Sequence, residues 1–204
     1  MRPEASRLWR ALFVVGGILY LAGSFQHPRG PMTAMLVDPA WIPGHAMACV
    51  GLIGLTLGLW MLRRQQAHPP AMERWLRIAV VMAALEAVEM GIHTMAYVDA
   101  AALSAGQSTP VLGTHSWLAT LIYPCWAITL IGLILVGQRT HALGTRWIGW
   151  LGMIGAAAHG MVMWLVFVLH VDWAGVLFPL AAIGISFWFI LAGCWPARRS
   201  TSAA

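Results

Sequence analysis

The sequence predicts an all-α fold: a polytopic membrane protein in one helical domain with six transmembrane helices. Three observations predict it: the composition, the spacing of the apolar runs and the placement of the arginines. Of 204 residues, 60% are hydrophobic and only 9% charged, with a mean hydropathy of +0.75. A soluble domain carries roughly a quarter charged residues, so this chain lacks the polar groups to cover a water-facing surface. The apolar runs fall at about 8–25, 41–62, 75–98, 114–136, 147–170 and 173–195. All but the slightly shorter first have about the twenty residues that a bilayer demands.

The basic residues are all arginine. In the six-span arrangement Arg2, Arg7, Arg10, Arg63, Arg64, Arg74, Arg77, Arg139, Arg146, Arg198 and Arg199 fall on one side, leaving only Arg29 on the other. The positive-inside rule then puts both termini in the cytoplasm and the chain in the inner or plasma membrane. The pI near 9.9 thus reports topology, and no nucleic-acid motif accompanies it. The expected partner is the bilayer, with a lipophilic small molecule as a further candidate.

Taken in order, the first run, Leu8 to Phe25, follows three arginines and ends before His27-Pro28-Arg29-Gly30-Pro31. A charged start and Ala22-Gly23-Ser24 also suit a cleaved signal peptide, but the run is long enough to span and is read as a helix. The second closes at Arg63-Arg64 before His68-Pro69-Pro70. The third starts at Arg74-Trp75 and ends at Val98-Asp99. A loop rich in Ala, Ser and Gly precedes the fourth, which contains Pro124 and ends at Arg139. The fifth runs from Arg146-Trp147 to Val171-Asp172, and the sixth ends at Trp195. Trp9, Trp41, Trp60, Trp75, Trp117, Trp147, Trp173 and Trp195 lie near span ends and read as headgroup anchors. Gly51, Gly54 and Gly58, with Gly149, Gly152 and Gly155, recur at helical spacing and predict close helix contacts. Cys49, Cys125 and Cys194 lack metal or redox spacing and read as free thiols.

Spans two to five are expected to form a four-helix core, with a possible two-fold hairpin repeat. Both hairpins enter with Gly before His, at His45 and His115, start their second helix at Arg-Trp, and end it at Val-Asp. Aligning the closing aspartates sets Glu86 opposite His159.

The chemistry centres on Leu85-Glu86-Ala87-Val88-Glu89-Met90-Gly91-Ile92-His93. Spacings of three and four residues put Glu86, Glu89 and His93 on one helical face. Charged groups inside a membrane are costly and mark functional sites. His159 sits near the middle of span five, at the depth of Glu86. His45 and His115, opening spans two and four, and His170, closing span five, lie at the outer level with His93, while His27, His68 and His141 read as solvated loop residues.

This set suits a metal or haem centre open to the outer side, with a redox role. Glu86, Glu89, His93 and His159 are the candidate ligands of a metal ion. His45 with His115, or His93 with His170, are the candidate axial pairs of haem b. Met32, Met35, Met47, Met90 and Met95 would suit copper. The alternative is cofactor-free isomerisation or cyclisation of an isoprenoid-like substrate. Glu86, Glu89 and His159 would then be catalytic, with Tyr123, Trp126 and Trp164 around the substrate. A third reading is proton-coupled transport through the same groups, which the scarcity of broken helices disfavours. No Walker motif, dinucleotide fingerprint, H-E-x-x-H or serine elbow is present.

Overall fold

The computed structural model describes residues 3–65 and 68–195. Arg2, Arg198 and Arg199, which entered the topology argument, lie outside the described residues. All regular structure in this range is helical. Helix α1 is Pro3–Phe25, α2 the single turn Met32–Met35, α3 Trp41–Gln65 and α4 Pro70–Thr94. After a 3₁₀ turn, Met95–Asp99, follow α5 (Ala100–Ser104), α6 (Pro110–Arg139) and α7 (Arg146–Met163). A wide π turn at Trp164–Val168 and a 3₁₀ turn at Asp172–Val176 lead into α8 (Leu177–Cys194).

Five segments are long and apolar enough to cross a membrane: Arg7–Phe25, Trp41–Arg64, Pro110–Arg139, Arg146–Val168 and Asp172–Cys194. Helix α4 is as long as α3, 25 residues each, and packs beside it, but Glu73, Arg74, Arg77, Glu86 and Glu89 give it a different composition.

The six long helices follow one another round a closed ring. Helix α1 packs on α3, α3 on α4, α4 on α6, α6 on α7 and α7 on α8, and α8 returns to α1. The interior is therefore enclosed by six helices instead of the expected four, and α1 and α8 are full members of the wall. Small residues draw the wall together. A Cβ at Gly51 would stand 2.5 Å from the Tyr20 nitrogen of α1, and one at Gly155 would stand 2.6 Å from Gly184 Cα of α8.

One half of the enclosed space is filled by a continuous apolar cluster. Leu55, Leu59, Leu62, Met72, Leu76, Ala79, Leu130, Leu133, Trp188 and Phe189 are all buried there. The half that holds the ends of α1 and α4 and the starts of α3 and α6 contains the polar groups. Trp41, Leu36, Ala96 and Ala100 form a small separate cluster over that end.

Two of the expected headgroup anchors are buried. Trp9 is 1% exposed and packs edge-on against Phe13, whereas Trp41 is 0% exposed. Both sit on inward faces of the ring, which span-end position alone does not reveal. Trp147 and Trp173, at 82% and 75%, are the most exposed, and Trp60 and Trp117 are exposed as well. Span four also begins four residues early, at Pro110, because proline at a first helical position has no amide to leave unsatisfied. The three cysteines are free.

Candidate metal centre

The centre is assembled from the wall of the ring inward. Helix α4 has one face of buried groups, Glu86, Glu89, Met90 and His93, set by its own periodicity. Helix α3 begins at Trp41 because Asp38 Oδ1 accepts from the Ala40 amide at 2.7 Å and folds the preceding turn. This places His45 one turn into α3. Helix α6 is held at its start by Asp99, whose Oδ2 accepts from the Leu112 amide at 2.8 Å, and this holds the start of α6, where His115 lies, against α4. Helix α7 approaches α6 closely where Gly160 faces Ala127, at a spacing that a Cβ would reduce to 2.6 Å. Its neighbour His159 is thereby delivered to Glu86.

Two carboxylate–imidazole couples result. His159 Nε2 donates to Glu86 Oε1 at 2.7 Å, and His115 Nδ1 donates to Glu89 Oε1. Both carboxylates are 0% exposed, and among the described residues the second oxygen of each, Oε2, has no hydrogen-bond partner. Among the described residues no arginine pairs with either. The Tyr123 ring stacks on His159 at 4.0 Å. Tyr20 of α1 is also buried in this chamber.

Where α1 and α4 end and α3 and α6 begin, three histidines converge. One ring nitrogen each of His27, His45 and His93 lies within 4.8 Å of the other two. His45 Nδ1–H donates to the Trp41 carbonyl at 2.6 Å and His27 Nδ1–H to the Pro28 carbonyl at 2.7 Å. An imidazole that donates from Nδ1 and is neutral keeps its lone pair on Nε2. Among the described residues His45 Nε2 is buried with no partner, and so is His93 Nδ1. The Trp41 indole packs over His45 and His93 at 4.2 and 4.9 Å between centroids, and its Nε1 donates to the Thr94 carbonyl at 3.1 Å.

The expected metal set is thus divided. Glu86 is joined to His159 and Glu89 to His115, while His93 turns the other way toward His27 and His45. Among the described residues the four do not gather round one point. The outer set is instead completed by His27, expected to be a solvated loop residue. It is half-buried because the chain after α1 folds back over the chamber.

Neither haem pair has the required gap. His93 lies between His45 and His115, with ring centroids 4.4 Å from the first and 3.7 Å from the second, so no macrocycle fits between them. His170 is exposed, with φ of 53°, beyond the wide turn that follows α7, and does not face His93. Trp164 is 44% exposed, its Nε1 donating to the Thr120 carbonyl at 2.9 Å, whereas Tyr123 and Trp126 are buried.

Two imidazoles whose Nδ1–H is spent on a carbonyl, joined by His93 with a buried ring nitrogen that has no partner among the described residues, make a set that could hold a transition-metal dication. Hydrogen bonds from the remote ring nitrogen to backbone carbonyls are the usual second support of such ligands. No family model matches the chain, and comparison with curated proteins and with solved structures finds no match.

Proposed function

We propose that the chain is a six-span protein of the inner or plasma membrane that holds one divalent transition-metal ion at His27, His45 and His93. Both termini are cytoplasmic and the site is near the outer face. The topology rests on the arginine asymmetry and on α4 belonging to the same ring as five segments of spanning length. Spans two and three pair with spans four and five as related hairpins, in keeping with their matching His starts and Val-Asp ends.

The observation that carries the metal reading is the pairing of two Nδ1–H groups with backbone carbonyls, which leaves unpartnered nitrogens converging in a buried place. An orphaned buried polar group costs about 1–3 kcal/mol, so several side by side require a shared partner. A dication supplies it. It also offsets the two nearby carboxylates, which have no arginine. Zinc or another imidazole-binding dication fits best, since the nitrogens close to metal distance of about 2.0–2.1 Å by small ring rotations.

This reading is preferred to cofactor-free acid/base chemistry, which would need Glu86 and His159 but leaves the triad without a purpose. Through-transport is disfavoured because the chamber ends blindly on the apolar cluster below Glu86. The test is elemental analysis of detergent-purified protein together with an ultraviolet-visible spectrum. The expected result is one zinc-like dication per chain, no Soret band, and loss of the metal in His45→Ala and His93→Ala. Wild-type protein without stoichiometric metal, or variants that retain it, would refute the reading.

A further inference from the structure

His115 stands against the triad without belonging to it. Its ring contacts that of His93, and its Nδ1 is held by Glu89. In the neutral ring this places the lone pair on Nε2. The carboxylate behind it orients the ring and stabilises the imidazolium formed when Nε2 takes a proton, the relation found in hydrolytic triads. Three histidine ligands leave a tetrahedral dication one position for water, whose acidity the metal raises. An oriented imidazole in contact with a ligand ring would stand close enough to such a water to act as its general base.

The same two helices form a lipid-side groove. Between α4 and α6 lies a depression of about 540 Å³ lined by Val88, Ile92 and Met95 and by Val111 and Thr114. It is apolar, since the Thr114 hydroxyl is turned back onto the Pro110 carbonyl at 2.7 Å. Gly91 leaves its wall low: a Cβ there would meet nothing within 4 Å. Ile92 precedes His93 and Thr114 precedes His115, so the groove lies over the α4/α6 seam whose buried inner side carries the ligand and the base. It is shallow and open, a trough that an extended acyl chain can lie along, and its position on the outward face of two membrane-embedded helices gives it lipid chains as neighbours.

Resting on the three-histidine metal site proposed above, we infer that the centre hydrolyses an acyl ester or acyl amide whose chain lies in the α4/α6 groove, with His115 as general base and Glu89 as its positioning carboxylate. Water gives a proton to His115 Nε2 while its oxygen bonds to the acyl carbon. The carbon–oxygen or carbon–nitrogen bond then breaks, and His115 passes its proton to the departing group. The products are a carboxylic acid and an alcohol or amine, and no oxidant or reductant is consumed.

The test uses the full chain in phosphatidylcholine nanodiscs loaded with Co²⁺, with azide as a probe of the open position and a panel of fluorogenic long- and short-chain acyl esters and amides. The expected results are one cobalt per chain, a shift of its visible absorption on adding azide, and turnover of a long-chain member. His115→Ala should keep the cobalt and lose turnover by about 10²–10⁴-fold. Glu89→Gln should lower kcat with KM unchanged, a split that general loosening would not produce. Gly91→Leu should keep cobalt and azide response but raise KM for long chains more than for short ones. Loss of cobalt in His115→Ala with no azide response in wild type would make His115 a fourth ligand and overturn the inference. So would bound, azide-responsive cobalt with no turnover across the panel. Failure to bind cobalt at all would instead contradict the three-histidine site itself.

Discussion

A histidine that spends its Nδ1–H on a backbone carbonyl has decided which nitrogen remains, and His27 and His45 both do so. The inner couples follow the opposite logic, an imidazole N–H spent on a carboxylate. Removing His159 leaves Glu86 wholly buried with no partner for either oxygen, so His159→Ala is expected to cost about 3–5 kcal/mol. Glu86→Gln, which keeps an acceptor for His159, should cost no more than about 1.5 kcal/mol. Thermal unfolding in detergent checks both. Burial, opposed in part by the Pro28 carbonyl and reinforced by His115, holds the His27 imidazole below its ordinary value. The rings facing it are His45 and His93, with Trp41 beside them. The unfolded chain therefore takes up the proton first on acidification. Stability is complete above the ordinary imidazole range and falls as pH drops below about 6.5. Thermal unfolding of metal-free protein against pH should show this slope, and His27→Gln should make it shallower. The Glu86, Glu89 and His93 face was legible in the sequence because helical periodicity alone creates it. The place of His27 was not, since a loop residue has no periodicity and only the fold-back of the chain after α1 buries it.

At the level of elements, the long helices were legible from apolar length, and their contacts from glycine spacing. Gly51 lies against Tyr20, Gly152 against Trp188 and Gly155 against Gly184. What the sequence did not convey was which faces meet: Trp9 and Trp41 sit at span ends yet point inward. The early start of α6 at Pro110 and the wide turn after Met163 are likewise local backbone choices that hydropathy does not register. Because α1 carries Tyr20 and leads directly into His27, its seat on α3 controls the site. Gly51→Val would drive a side chain into the Tyr20 backbone, at a spacing of 2.5 Å for the Cβ alone. Overpacking of this kind costs about 1–3 kcal/mol. The variant should therefore show both a lower unfolding temperature and weaker metal retention on dialysis. Leu59→Ala, a deletion on the same helix within the apolar cluster, should affect stability alone.

For the whole molecule, the buried glutamates and histidines gather toward the end where α1 and α4 finish and α3 and α6 begin, and an apolar cluster fills most of the rest of the ring. That asymmetry matches the outward march of Glu86, Glu89 and His93 along α4, and it explains why histidines concentrate at one end. The closure of α8 onto α1 was not legible, because contacts between the first and last helices leave no local signature; hence the expectation of a core from spans two to five. A blind chamber should bind metal ions without passing them. Protein in liposomes is expected to take up no zinc into the lumen above protein-free vesicles, as read by a trapped fluorescent indicator. The central claim is the three-histidine site, and X-ray absorption at the metal edge of purified protein tests it most directly. The expected first shell is three imidazole nitrogens at about 2.0–2.1 Å plus one water oxygen. A shell dominated by carboxylate oxygen or sulfur, or one unchanged in His27→Ala, would contradict it.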